Sequence, residues 1–295
     1  MASPSLLSKL SCQATAALYG AGLGAFPKVV RVETTNACNA KCIICPHSEM
    51  SRPVKNMDQS LFERVVDECA ENHCQELHLH NFGEPFIDKK LISRIQYAVG
   101  KGIKKVKIFS NGSLIKREVA EQLIDSGLSE IKVSFDGANK KEFEEIRHPL
   151  KYQEVIDNIH GLVEARNAKK SSMKIKVSCV STSDSDSTME QLGNIVDSFS
   201  FGKIHNWADQ GDGENENKLR KPCSRVWRTF TILSNGDVAL CCLDYDGKNL
   251  LGHVDEKTSI ADIWKSEKYL NVRSIHKKGL FDQIPLCSQC SKTFV

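Results

Sequence analysis

The sequence predicts an α/β chain: a parallel sheet with helices outside it, then a small C-terminal unit built from a β-hairpin and a helix. Three observations carry that prediction. From Val29 onward, short β-branched runs alternate with stretches of helical periodicity, the pattern of parallel strands joined by crossover helices. Beyond that series lies a charged stretch, 209–221, with Gly211 and Gly213 and no apolar residue before Leu219. After it, Asn235-Gly236 sits between two apolar runs, a strong hairpin signal. With 295 residues the chain is long enough for one large domain and a smaller unit, each with its own core.

Taken in order, residues 1–28 read as a lead-in helix, short and amphipathic, ended by Gly20, Gly22, Gly24 and Pro27. A first strand at 29–34 runs into a loop rich in cysteine. Asp58 or Ser60 then caps a helix with Leu61, Phe62, Val65, Val66 and Cys69 on one stripe. Further strands are predicted at 76–80, 106–110, 130–135 and 174–180, with a short sixth at 203–205. Helices are predicted at 88–99, 115–126, 140–146, 153–168 and 189–199. The charged stretch marks the boundary between a unit at 29–210 and one at 211–295. In the second unit Thr258 or Ser259 caps an amphipathic helix carrying Ile260, Ile263, Trp264 and Tyr269.

Composition narrows the function. Lys and Arg number 40 against 37 Asp and Glu, a formal charge of +3, too small to argue for nucleic acid or a membrane surface. The cluster Lys101, Lys104, Lys105 and Lys107 reads as a solvated edge where a helix hands over to a strand. Twelve cysteines are an excess for this length. A secreted disulfide framework would need a signal peptide, and residues 6–26 lack a basic start followed by an unbroken apolar run. The expected compartment is therefore the reducing cytoplasm, with cysteine used for metal and redox chemistry.

Cys38, Cys42 and Cys45 place three thiols in eight residues directly after the first strand. A closed tetrahedral site needs four protein ligands, and this loop offers three. If they hold a [4Fe–4S] cube, one iron keeps an open position that can bind a small molecule and pass it an electron. Other strand ends carry Asn81-Phe82-Gly83-Glu84-Pro85, Ser110-Asn111-Gly112, Ser134-Phe135-Asp136-Gly137 and His205-Asn206-Trp207-Ala208-Asp209. Turns alone explain each of these; their common placement beside the cysteine loop is the stronger signal, because sheets of this kind collect chemistry at the C-terminal ends of strands. A second set comprises Cys223, Cys241, Cys242, Cys287 and Cys290. The hairpin brings Cys223 and Cys241 together, and Cys287-Ser288-Gln289-Cys290 is a C-x2-C knuckle. Four such thiols suit either Zn²⁺ or an iron–sulfur cluster, and spacing alone does not choose.

The C-x3-C-x2-C loop with the Gly83-Glu84-Pro85 segment resembles the radical S-adenosylmethionine (SAM) enzymes. The set Cys223-x12-Gly236-x4-Cys241 followed by Cys287-x2-Cys290 resembles their twitch module, the short one-cluster form of the SPASM domain. The resemblance spans 29–210 and 219–291 and implies a partial (β/α)6 TIM-like barrel ahead of the small module. It implies a SAM-binding [4Fe–4S] cluster on Cys38, Cys42 and Cys45, and an auxiliary [4Fe–4S] cluster on Cys223, Cys241, Cys287 and Cys290. It further implies that the Gly83-Glu84-Pro85 backbone meets the SAM amino group, with Asn111, Ser134 and Arg147 as further SAM contacts. Ile44 departs from the family, which usually has an aromatic there. In this family SAM is cleaved to methionine and a 5′-deoxyadenosyl radical that takes hydrogen from a substrate, with an electron donor such as flavodoxin or ferredoxin.

Among twitch enzymes the chain resembles the aminocyclitol dehydrogenases of the butirosin type, sharing His80-x-x-Gly83-Glu84-Pro85 and the cysteine layout. This implies oxidation of a secondary alcohol on a sugar or aminocyclitol, with the auxiliary cluster accepting one electron. Cys242, Asp244 and Asp209 are the candidate catalytic residues. Cys242 reads either as a hydrogen-atom donor, which would make the enzyme an epimerase, or as an ordinary buried small residue. Asp244 is a candidate proton acceptor against the commoner surface-turn aspartate. Peptide maturation is the other alternative within the family, disfavoured by the short lead-in; a zinc or nucleic-acid binding protein is the alternative outside it. Cys12, Cys69, Cys74 and Cys179 read as structural, with His78 and His80 as core or rim histidines.

Overall fold

A computed structural model describes residues 6–180, 190–202, 207–208, 220–288 and 290. Helix α1, Leu6–Ala21, leads in. Strand β1 is Val29–Val32, and the cysteine loop follows it. Helices α2 (Gln59–Glu71), α3 (Leu91–Gly100), α4 (Arg117–Asp125), α5 (Lys140–Ile146) and α6 (Tyr152–Ala168) alternate with strands β2 (Glu76–His78), β3 (Val106–Ser110), β4 (Glu130–Ser134) and β5 (Lys174–Val180). These strands pair in parallel, each with its sequence neighbour. The expected open barrel is thus present.

Each strand alternates with period two. Val30, Val32, Leu77, Val106, Ile108, Ile131, Val133, Ile175 and Val177 are fully buried and form the core beneath the helices. Truncating one of them, Ile131→Ala for instance, costs about 2–5 kcal/mol. Most of the intervening residues are polar, with Phe109 and Val180 as apolar exceptions, and they face the concave side. Glu76 bonds Lys107 at 2.9 Å and His78 at 3.0 Å, and Lys176 bonds Glu130 at 2.7 Å.

The sixth strand differs from expectation. β6 is Ser198–Gly202, paired parallel to β5 from Lys176↔Ser198 to Val180↔Gly202. Helical structure ends by Leu192, where Gly193-Asn194 interrupts it, and Ser198-Phe199-Ser200-Phe201 alternates with the strand period rather than the helix period. Asp197 anchors the strand's start, accepting from Ile175 N at 2.8 Å and from Lys174 Nζ at 3.1 Å. Residues 203–205, where the strand was expected, lie outside the described residues, as does the 210/211 boundary.

The C-terminal hairpin continues the same sheet. After a short helix α7, Arg225–Arg228, strand β7 (Thr229–Ile232) pairs parallel to β1 from Val29↔Thr229 to Val32↔Ile232. β8 (Asp237–Ala239) and β9 (Leu250–His253) then add antiparallel. The described order is β6-β5-β4-β3-β2-β1-β7-β8-β9. Helix α8 (Ile260–Trp264) starts with a capping box between Ser259 and Asp262. Helix α9 (Glu267–Lys278) ends at Gly279, left-handed at φ 69°, and packs against α1. Helix α10, Pro285–Ser288, carries Cys287.

Candidate active site

The cysteine loop is pinned from three directions. Lys41 N donates to His148 O at 2.6 Å and Ile43 N to Ile146 O at 2.9 Å, tying the loop to the end of α5. Asn39 donates to Ser113 Oγ at 2.9 Å and accepts from Asn111 Nδ2 at 2.9 Å, tying it to the end of β3. Gly83 packs against its base: a Cβ there would stand 2.7 Å from Ala37 O and 2.8 Å from Thr35 O, and its φ of +90° itself requires glycine.

Behind the loop Glu33 is fully buried. One of its oxygens accepts from Arg52 Nη1 at 2.8 Å and Ser234 N at 3.1 Å. The other accepts from Arg52 Nη2 at 3.0 Å, Asn81 Nδ2 at 3.3 Å and Phe82 N at 3.4 Å. A single carboxylate therefore joins β1, the cysteine loop, the 81–85 loop and the C-terminal hairpin.

The loop faces a cavity of about 520 Å³. The structure brings Cys38, Cys42, Cys45, Gly83, Glu84, Asn111, Ser134, Arg147 and Cys242 to its lining; Pro85 stands just behind, opening a 3-10 turn over Pro85–Ile87. Burial pushes the Cys38 thiol up to about 12 and the Cys45 thiol to about 11, and raises Cys42 against the nearby Arg147 guanidinium. Such thiols become thiolates only with a cation among them, and an iron cluster supplies it. Among the described residues no three His, Cys, Asp or Glu side chains converge on a point as a single metal ion requires. A cube takes each thiolate on a different iron, so thiols spread around one cavity fit it.

Glu84 is fully buried at the cavity wall. Its carboxylate accepts from Asn111 N at 2.7 Å, Ser110 Oγ at 2.8 Å and Phe86 N at 3.3 Å, and burial pushes its carboxyl up to about 7 against these bonds. Arg147, also buried, is ion-paired with Asp136, whose other oxygen accepts from Val180 N. Arg147 Nε is buried and has no hydrogen-bond partner.

Three charged residues of the cavity were missed by sequence reasoning. Arg31 and Lys132 stand on the polar alternate positions of β1 and β4, and Arg225 on α7. His80 stacks on Phe109, centroids 4.1 Å apart, and burial holds its ring well below its usual pKa. The usable signal was a charged residue at every second position of strands that fully covered sheets would make apolar. Trp207 lines the cavity as well, and its indole donates to Ile44 O at 2.8 Å, so an aromatic ring reaches the position where Ile44 lacks one.

The second cysteine set divides in two. Cys223, Cys241, Cys287 and Cys290 line one small pocket with Val226, Leu240, Leu243, Phe281 and Leu286. Four soft thiols, with Arg220, Lys221 and Arg225 on the same wall, fit an iron–sulfur cluster. Cys242 instead faces the large cavity and accepts from Arg225 Nη1 at 2.8 Å. Arg225 lines both spaces. Asp244 does not line the cavity; its oxygens accept from Lys248 N at 2.9 Å and Asn249 N at 2.8 Å, holding the turn after Cys242. Asp209 lies outside the described residues, as does His205. No described helix is long and apolar enough to cross a membrane.

Known proteins match this arrangement. The Radical SAM superfamily pattern matches residues 32–181, a little over half the chain, and an iron-sulfur cluster-binding domain pattern, SPASM, matches 223–291. The chain is similar to the S-adenosyl-L-methionine-dependent 2-deoxy-scyllo-inosamine dehydrogenase of Niallia circulans, 22% identical over 90% of this chain and 94% of that protein. It is also similar to a probable GTP 3′,8-cyclase of Methanopyrus kandleri, 28% identical over 58% of this chain and 53% of that one. In fold it is similar to BtrN in complex with AdoMet and 2-DOIA, with a TM-score of 0.67 at 19% identity over 90% of this chain and 93% of that one. Streptococcus suis SuiB bound to precursor peptide SuiA gives a TM-score of 0.68 at 19% identity, over 88% of this chain and 69% of that one. The matched patterns carry SAM, a [4Fe–4S] cluster and an auxiliary iron–sulfur cluster as cofactors, and both thiol sets fall inside them. A three-thiol loop on a cavity of about 520 Å³, within a sequence pattern that spans half the chain, makes this protein a member of the radical SAM superfamily.

Proposed function

We propose that this chain dehydrogenates a secondary alcohol of a small polar substrate, a sugar or aminocyclitol, with its C-terminal cluster taking the electron. One observation supports this above the others: a single cavity runs from the Cys38-Cys42-Cys45 loop to Cys242 and Arg225, beside the pocket of the other four cysteines. When bound, the cofactors supply reductive SAM cleavage, the hydrogen-abstracting 5′-deoxyadenosyl radical and an electron sink. In this reading Cys38, Cys42 and Cys45 hold the first cluster, and Cys223, Cys241, Cys287 and Cys290 the auxiliary one.

The Gly83-Glu84-Pro85 backbone receives the SAM amino group, with Glu84 fixing that loop to the end of β3. Asn111, Ser134 and Arg147, all on the cavity wall, are the further SAM contacts in this reading. Trp207 and Phe82, ring centroids 5.7 Å apart, line it with apolar surface. Arg31, Lys132 and Ser178 offer polar contacts for a hydroxylated substrate. Asp244 holds the Cys241–Cys242 turn, and Asp209 stands as a further candidate catalytic residue. A flavodoxin or ferredoxin is the matching donor.

The test is anaerobic turnover of the reconstituted enzyme with a polyol panel. Oxidised product in step with 5′-deoxyadenosine is expected; SAM cleavage with no substrate oxidised across sugars and aminocyclitols would defeat the reading. The exposure of Cys242 to the cavity favours a second reading, epimerisation, in which its thiol returns a hydrogen atom to the opposite face. In D₂O, deuterium in an unoxidised product of wild type but not of Cys242→Ala would favour that reading.

A further inference from the structure

We propose that His276 donates an N–H···S hydrogen bond to the Cys287 sulfur and so raises the reduction potential of the auxiliary cluster. This rests on the reading that Cys223, Cys241, Cys287 and Cys290 hold that cluster, and it deepens the electron-sink role given to it.

His276 lies on α9 and is almost fully buried. Its Nε2 stands 3.6 Å from Cys287 Sγ, and its Nδ1 accepts from Cys223 N at 3.3 Å. A neutral imidazole carries one proton, and an Nδ1 that accepts from a backbone N–H places that proton on Nε2. Nε2–H is then the donor and a Cys287 thiolate the acceptor. The ring is fixed from both sides, edge-on to Phe281 at 5.1 Å and to Trp227 at 6.1 Å. The sulfur is fixed as well, because Arg220 binds the Cys287 carbonyl and donates to Ser288 O at 3.1 Å. One histidine thus touches two of the four thiol-bearing residues, one through its backbone and the other through its sulfur.

The sign follows from charge. Reduction adds an electron to a cluster already made negative by four thiolates, and much of that charge is felt at sulfur. A donor aimed at one sulfur stabilises the reduced state more than the oxidised one. His276 is therefore a positioning residue that makes this cluster a better electron acceptor, as a dehydrogenase sink must be. Hydrogen-bond partners of metal ligands act in this way.

The parent for the test is the Cys38→Ala/Cys42→Ala/Cys45→Ala variant, which leaves only the auxiliary site, reconstituted anaerobically and titrated by EPR against redox mediators. His276→Phe keeps a ring between Trp227 and Phe281 without a donor; His276→Gln restores one. The expected result is equal iron in all three proteins, with reduction about tenfold less favourable in His276→Phe, about 59 mV for a one-electron couple, and partial recovery in His276→Gln. An unchanged midpoint in His276→Phe overturns the proposal. Loss of iron from both His276 variants also overturns it, by making the ring a ligand or a packing element. A parent without iron would instead sink the cluster assignment itself.

Discussion

Glu33→Gln tests whether the two halves of the chain are held as one body. The substitution keeps the side-chain shape and removes the charge that faces Arg52, Ser234, Asn81 and Phe82. Its amide nitrogen must also stand opposite donors at one of the two oxygen positions. Arg52, 11% exposed, is then left without a carboxylate, and breaking a buried ion pair from one side costs about 3–5 kcal/mol. The lower end applies, because Arg52 Nε keeps Tyr245 O at 2.7 Å. A loss of about 3 kcal/mol is a large share of the 5–15 kcal/mol typical of a folded domain. Urea unfolding followed by tryptophan fluorescence under anaerobic conditions reads it. Arg52→Met added to Glu33→Gln should cost little more, since the stranded charge goes with it, giving a coupling of about 2 kcal/mol in a double-mutant cycle. A Glu33→Gln protein within about 1 kcal/mol of wild type, or strictly additive variants, would refute the reasoning.

The remaining predictions concern the loop, the carboxyl at its wall and the thiols. Gly83→Ala forces a φ of +90° on a residue with a Cβ, about 1–3 kcal/mol of strain. It also pushes that Cβ into Ala37 and Thr35, so reconstituted protein should lose iron at the first site while keeping the second, as an iron count will show. Glu84, held near 7 in the fold, binds its proton more tightly folded than unfolded. Its contribution is therefore present below about pH 4.5 and is lost as pH rises through 7. In the cluster-free protein the stability of wild type should fall by about 3 kcal/mol more than that of Glu84→Gln across this window; parallel profiles would contradict the assignment. The Cys38→Ala/Cys42→Ala/Cys45→Ala variant should release no 5′-deoxyadenosine while remaining coloured from its C-terminal cluster, and any SAM cleavage by it would count against the first site.

The sequence was most legible where local pattern and fold agree. Lys140–Ile146 and Lys174–Val180 fall where periodicity puts them, because Asn139 caps the first by accepting from Glu142 N and a clean alternation marks the second. The thiol spacings were legible for a different reason: metal ligation fixes residue type and distance along the chain together. Contacts distant in sequence were not legible. Glu33 reads as one more strand-end glutamate until Arg52, Ser234 and Asn81 close around it. His276 reads as a basic residue near a helix C-terminus, a placement its dipole alone would justify. Only the fold brings Cys287 and Cys223 to its two nitrogens. The helix predicted at 189–199 was run too far, because apolar residues at 195, 196 and 199 fit a helical stripe over so short a run.

The pairing of β7 with β1 gives these contacts their mechanical meaning. Had the hairpin hung from the charged stretch alone, the distance between the two thiol sets would vary with linker conformation. Ladder pairing from Val29↔Thr229 to Val32↔Ile232 removes that freedom, since slipping by one residue would turn buried Phe230 and Ile232 out of the core. Glu33 reinforces the joint at the end of β1, through Ser234 directly and through Arg52 to Tyr245. Ser51 adds to it by donating to Asp246 at 2.6 Å and 3.0 Å. With both ends fixed, Arg225 keeps its place on both the cavity and the small pocket, so the spacing of the two thiol sets is a property of the sheet itself.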